Sequence, residues 1–171
     1  MRGDDDRQLA AAWRIAAENP AIAGELGAVY ESIRADVMSR GPACWASGRC
    51  CNFEKSGHRL YVTGLEAAFT LLRAPRRDAG RGTVSLAQVG DARRRGDCPF
   101  LEGNACGVHE SKPVGCRVYF CDRSATGWQE DLSERALARV RAIHDRYGVP
   151  YLYGEWRGML ELLAEDRRNP V

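Results

Sequence analysis

The sequence lacks several things, and each absence excludes a class of protein. No apolar run approaches the roughly 18 residues that a membrane-spanning helix needs, so no membrane association is expected. The opening Met1-Arg2-Gly3-Asp4-Asp5-Asp6 is acidic and has no apolar h-region, so it does not read as a secretory signal, and the cytoplasm is the expected location. An excess of one charge is missing too: 25 Lys and Arg against 23 Asp and Glu leave a formal charge of +2, which gives no reason to expect a nucleic-acid partner. There is no glycine-rich nucleotide loop, no H-E-x-x-H and no nucleophile elbow, so no specific reaction is announced. Internal repeats and breaks in composition are also absent, so residues 1–171 read as a single domain.

What is present begins with composition. Hydrophobic residues at 44% and charged residues at 28% are the mixture of a globular chain with one buried core. Seven cysteines then demand an explanation. They fall at 44, 50, 51, 98, 106, 116 and 121, with none in the first 43 residues or the last 50. A reducing compartment disfavours structural disulfides, and an odd number cannot pair completely within the chain. Buried cysteines acting as small apolar residues would also occur in the terminal segments, so the clustering favours metal binding.

The flanks of the cysteine segments are helical. Residues 7–18 predict a helix with Leu9, Trp13 and Ala16 on one face, and Asn19-Pro20 is a good start for a second. Ile22, Leu26, Val29, Ile33 and Val37 follow at helical spacing until Gly41-Pro42. Thr63-Gly64-Leu65-Glu66 and Ser85-Leu86-Ala87-Gln88 have capping-box form, and Pro75 ends the first of the two helices they open. Arg76 to Gly82 reads as an exposed loop. Thr126 begins a helix with Leu132, Leu137, Val140 and Tyr147 inward, ended by Gly148-Val149-Pro150. Residues 152–166 predict a last helix carrying Leu152, Trp156, Met159, Leu160 and Leu163. The expected fold is mostly α: a small helical domain in which irregular cysteine-rich loops, 44–51 and 98–121, form a metal site between helices spanning 7–40 and 126–166.

The spacings are Cys44-x5-Cys50-Cys51 and Cys98-x7-Cys106-x9-Cys116-x4-Cys121. Thiolates are soft donors suited to zinc, copper(I) and iron–sulfur clusters, and such sites need about four ligands. The spacings are wider than zinc-ribbon knuckles and unlike the tight bacterial ferredoxin run, so they leave the metal open. Neighbouring side chains in extended backbone point to opposite sides, so only one of Cys50 and Cys51 is expected to join a given site.

Cys98-Pro99-Phe100-Leu101, Cys106-Gly107-Val108-His109 and Lys112-Pro113-Val114-Gly115-Cys116-Arg117-Val118-Tyr119 together resemble the second half of the CxxCxxCC family (YkgJ type). That family is described as a zinc- or iron-chelating domain and often labelled an iron–sulfur oxidoreductase. Thr63 to Glu66 also resembles the threonine–glutamate helix start that the family carries between its cysteine blocks. The family pattern has cysteines at the positions of 44, 47, 50 and 51, whereas this chain has Ser47, a poor ligand for soft metals. The resemblance therefore implies a site combined across both blocks. It carries over Cys44, Cys50, Cys51, Cys98, Cys106 and Cys116 as candidate ligands, and Cys121 joins them on its chemistry.

Supporting residues each have an ordinary alternative. Arg117, beside a ligand candidate, would stabilise the negative charge of a bound cluster, or else would hold its loop to a helix by a salt bridge. His109 stands where the family often has tyrosine, so packing or hydrogen bonding is expected of it rather than coordination. His144 is expected in the core and His58 in an exposed loop. Arg73, Arg76 and Arg77 with Arg93, Arg94 and Arg95 read as solvated surface, and Trp45, Trp128 and Trp156 as core or loop anchors. The leading expectation is one iron–sulfur cluster, [4Fe–4S], serving redox or cluster-based catalysis with a protein or small-molecule redox partner. The alternatives are a structural zinc module acting as an adaptor, and a metal-dependent enzyme modifying protein or RNA.

Overall fold

The computed structural model describes residues 2–42, 47–75, 84–120 and 125–164. The first half holds α1 (Arg2–Glu18), α2 (Pro20–Arg40), α3 (Phe53–Ser56), β1 (Tyr61–Thr63) and α4 (Gly64–Arg73). The second half holds α5 (Leu86–Arg95), β2 (Leu101–Glu102), β3 (Ala105–Cys106), α6 (Val114–Val118), α7 (Thr126–Tyr147), β4 (Tyr153–Glu155) and α8 (Trp156–Leu163). The chain is mostly helical, as its periodicity predicts. No described helix is long and apolar enough to cross a membrane.

Helix starts follow the local signals closely. Asn19 caps α2, its side-chain oxygen accepting from the Ala21 and Ile22 N–H groups at 2.9 and 3.4 Å, with Pro20 in the first turn. Ile22, Leu26, Val29 and Ile33 are buried, and the Gly41 N–H closes the helix on Val37 O at 2.9 Å. Both capping boxes form, Thr63 with Glu66 on α4 and Ser85 with Gln88 on α5. The inward residues build one core, in which α1 packs on α4, α2 on α6 and α7, and α8 on α4 and α5.

The α1–α4 contact has a specific origin. Trp13 is fully buried and donates from Nε1 to Pro150 O at 2.8 Å. Its indole lies directly over Gly64, where a Cβ would overlap the ring carbons. Glycine at the first position of α4 is thus required by the close approach of an aromatic ring, not by its backbone angles.

Three expectations change. α1 begins at Arg2, ahead of residue 7, because the acidic first turn suits a helix N-terminus. The last helix begins at Trp156 rather than at 152, since Tyr153–Glu155 pairs antiparallel with β1 in the register Tyr61↔Glu155, Val62↔Gly154, Thr63↔Tyr153. Leu152 is consequently exposed, and Glu155 caps α8 by accepting from the Gly158 N–H at 3.1 Å. Tyr147 faces outward, its hydroxyl donating to Glu25 at 2.8 Å. Residues 76–82, Trp45 and residues 165–166 lie outside the described residues.

The described part of the basic surface is neutralised. Arg93 pairs with Glu161 at 2.6 Å, Arg95 with Asp97 at 2.9 Å, and Arg94 with Asp91. Arg73 lies over the Phe69 ring, 3.6 Å from its centroid.

Overpacking against Trp13 gives a test of this joint. Gly64→Ala is expected to destabilise the fold by about 1–3 kcal/mol, measured as a lowered midpoint at unchanged slope in urea denaturation. A neutral substitution would remove the indole from that position.

Candidate metal centre

The two cysteine blocks meet through backbone as well as side chain. Residues 48–51 form a tight turn, with the N–H of Cys51 donating to Gly48 O at 3.0 Å and the Asn52 side-chain amide donating to the same carbonyl at 2.9 Å. Gly48 has φ 69°, and a Cβ there would stand 3.2 Å from the Asn104 Cα, so the turn needs glycine both for its angles and for its contact with the β2–β3 loop. The carbonyl of Cys51 then accepts from the N–H of Cys98 at 2.8 Å, which stitches the first block to the second. Cys106 lies on β3 opposite Leu101.

Cys116 is placed by α6, whose position is set by a buried carboxylate. Glu66, 1% exposed, accepts from the Thr63 N–H and hydroxyl through Oε2, both at 3.0 Å, and from the Val114 N–H through Oε1 at 2.9 Å. One side chain thus caps the start of α4 and holds the first residue of α6, two residues before Cys116. Burial pushes the Glu66 carboxyl upward, opposed by these donors and by the Arg117 charge.

Five described cysteines are free thiols, namely Cys50, Cys51, Cys98, Cys106 and Cys116. Cys51 is the hub, with the thiols of Cys106, Cys50 and Cys98 acting on its proton. These neighbours, with burial, raise the Cys51 pKa strongly. Cys50 and Cys106 move the opposite way, each to about 6, chiefly through the bond from Cys51, with the Lys112 charge helping. Cys116 is raised by burial and by the neighbouring Cys98 and Cys106. The Nε1 of the buried Trp156 points at the Cys98 sulfur, 3.3 Å away.

The expectation that Cys50 and Cys51 face apart is overturned. Both lie in the turn rather than in extended backbone, and their thiols touch. The structure brings Cys50, Cys51, Cys98 and Cys106 together across the blocks, with Cys116 beside them. Cys44 and Cys121 lie outside the described residues. Among the described residues, no group of three His, Cys, Asp or Glu side chains is arranged to hold a metal ion. The donor chemistry of the thiols gathered here is that suited to a soft metal.

The surrounding cations and imidazoles divide cleanly. Arg117 donates to Lys112 O and Glu110 O, each at 2.7 Å, and its guanidinium lies 4.1 Å from the Tyr30 ring centroid. It staples the loop to backbone carbonyls and to α2, and it senses Cys116 electrostatically. Lys112 is the cation that acts on Cys50, Cys106 and Cys116 together, a role sequence reasoning missed, although the Lys-Pro-x2-Cys run contains it. Ser47 stays within its own turn, accepting from the Arg49 N–H at 3.4 Å. His109 is exposed beside Lys112, Nε2 to Nζ 3.3 Å, and His144 is buried with Nδ1 on Val149 O at 3.1 Å.

His58 departs from expectation: it is half-buried, not an exposed loop residue. Its ring stacks on Tyr119 at 4.6 Å and meets the Phe53 edge at 5.5 Å. Its Nε2 is 3.2 Å from the carbonyl of Cys50, while its Nδ1 is buried without a partner among the described residues. A cleft of about 260 Å³ opens here, with Cys50, His58, Leu60, Tyr61, Cys116 and Tyr119 among its walls. Local sequence offered one signal for His58, its place seven residues after Cys51.

No family model matches the chain, and no curated protein or solved structure matches it either.

The uneven thiols predict uneven reactivity, because the thiolate is the nucleophile. In metal-free protein, alkylation of Cys50 and Cys106 by iodoacetamide should climb between about pH 5 and about pH 7 and then level off, since a lowered pKa leaves the thiolate dominant above it. Cys51 and Cys116 should lag well into the alkaline range. Peptide mass spectrometry of a labelling time course reads all four.

Proposed function

We propose that the protein binds an iron–sulfur cluster, [4Fe–4S], through thiols of both cysteine blocks. The observation that carries this reading is the joining of the two blocks at Cys51, whose carbonyl accepts from the Cys98 N–H at 2.8 Å and whose thiol has those of Cys50, Cys98 and Cys106 as neighbours. Buried S–H groups are weak donors to one another, so this packing gains little stability as it stands. Replacing their protons by iron turns the same proximity into coordination, and binding free energy then becomes folding free energy. Five described thiols, with Cys44 and Cys121 in the same segments, supply the four ligands that a cluster of this kind takes.

A bound cluster supplies one-electron transfer, or activation of a substrate at an iron without a cysteine ligand. The chain's own residues do the rest. Cys50, Cys51, Cys98, Cys106 and Cys116 are the described candidates to hold it. Trp156 Nε1–H, directed at the Cys98 sulfur, and the Lys112 charge both favour the more negative, reduced state and so raise the potential. The cleft beside Cys50 and Cys116 gives a small-molecule or protein redox partner access to the sulfurs.

Purification without oxygen, followed by assay of iron, acid-labile sulfide and zinc with the visible spectrum, tests this reading. Iron and sulfide in equal amounts, with a broad absorption that bleaches on reduction, is the expected result. Stoichiometric zinc without iron or sulfide, retained after expression with ample iron, assigns the structural zinc role instead. Cys51→Ser and Cys98→Ser should each lose the cluster. Full iron content in both variants would remove ligation across the two blocks.

A further inference from the structure

The cleft beside the cysteine blocks is walled by aromatic rings from two parts of the fold. β1 and β4 pair with Thr63 opposite Tyr153 and Tyr61 opposite Glu155, so Tyr61 and Tyr153 are diagonal neighbours on one face of the ribbon. Their rings stack with centroids 6.0 Å apart, and both line the cleft while 43% and 41% exposed. Tyr119, just past α6, supplies a further wall, its ring stacked 4.6 Å from that of His58. Gly115 lets α6 approach the ribbon closely, because a Cβ there would stand 2.6 Å from Leu60 Cδ1. Two stacked pairs thus hold their rings in place before any ligand arrives, which lowers the entropic cost of binding one.

A polar wall comes from α7. Gln129 donates through Nε2 to Phe120 O at 3.3 Å, which leaves its side-chain oxygen to accept. Glu130 and Ser133 have no side-chain partner among the described residues. Arg59 and Glu130 set one positive charge against one negative charge in this lining, so nothing here selects a phosphate or another strongly anionic group. The volume is about 260 Å³, below the roughly 300–1,000 Å³ of pockets for drug-sized ligands, so it suits one or two fused rings. Stacking surfaces, unspent acceptors, balanced charge and small size together define the occupant.

We propose that this cleft binds a neutral, flat molecule of one or two fused aromatic rings with an N–H or O–H donor on its edge. The ring packs on the tyrosines in offset-stacked or edge-on fashion, and the donor meets an acceptor on α7. The inference goes beyond the cluster reading and does not require it. The recognition groups, Tyr61, Tyr119, Tyr153 and the α7 side chains, include no candidate metal ligand.

The test uses the full chain, purified without oxygen, with its iron, sulfide and zinc content recorded. It is titrated with 2-naphthol, with decahydro-2-naphthol, which has the same two rings saturated, and with 2-methoxynaphthalene, which lacks the donor. Calorimetry and saturation-transfer NMR read binding. The expected result is saturable binding of 2-naphthol, tighter than that of either relative. Tyr61→Leu and Tyr153→Leu, at exposed positions, should each weaken it about 2- to 10-fold, the worth of an aromatic pair. Tyr147→Leu, at an exposed tyrosine outside the cleft, should leave it unchanged. No saturable binding, equal affinity for the flat and saturated probes or for the probe without a donor, or binding that neither cleft variant alters, overturns the inference. Ring binding by a chain that holds no iron leaves this inference standing and removes the cluster reading. Iron and sulfide without ring binding does the reverse.

Discussion

The short hydrogen bond from Cys98 N to Cys51 O, with the thiol packing that surrounds it, is the joint on which the second half of the structure depends. The elements near it are too small to stand alone. α3 is four residues, α6 is five, and the β2–β3 ribbon has two residues per strand. Helices of that length and isolated ribbons are unstable in water, so they take their positions from what they are tied to. Cys51 ties the first block to the second directly, its carbonyl accepting from the Cys98 N–H.

The helical scaffold supports this joint from the other side. Trp13 pins α1 over Gly64 at the beginning of α4, and two residues on Glu66 reaches from α4 to the first N–H of α6. The carboxylate is buried and fully engaged, so it acts as a fixed strut and not as a titrating surface group. Arg117 adds a second strut, stacking on Tyr30 of α2 while it donates to the loop that precedes α6. Scaffold and cysteine loops thereby meet at α6, and Cys116 inherits its place from Glu66. The same construction gives the thiols uneven character: Lys112 approaches from the α6 side, Trp156 from α8, and the cleft lies open beside Cys50 and Cys116. A centre built this way has one insulated edge and one approachable edge.

Local chemistry was legible wherever a signal and its consequence lie within a few residues. The Asn19 cap, both capping boxes, the stops at Gly41 and Gly148, and the buried stripes of α2 and α4 all follow from neighbours along the chain. The clustering of cysteines into two blocks was equally plain. What local patterns missed is pairing at a distance. Tyr153–Glu155 becomes a strand because β1 lies beside it, which shortens α8 and exposes Leu152.

By itself, then, the sequence determined a mostly helical chain, the capped starts of α2, α4 and α5, and the supply of soft donors in two segments. Those features depend on capping, periodicity and composition, which act over one or two turns. Tertiary structure decided which thiols meet. A turn at residues 48–51, held by the angles of Gly48, aims Cys50 and Cys51 together where extended backbone would have parted them. It also decided that Lys112, rather than Arg117 alone, sets the charge around the sulfurs, and that His58 packs against the Cys50 carbonyl instead of standing in solvent. Convergence of side chains on one point is a property of three-dimensional packing, because burial and electrostatics depend on what lies across the fold.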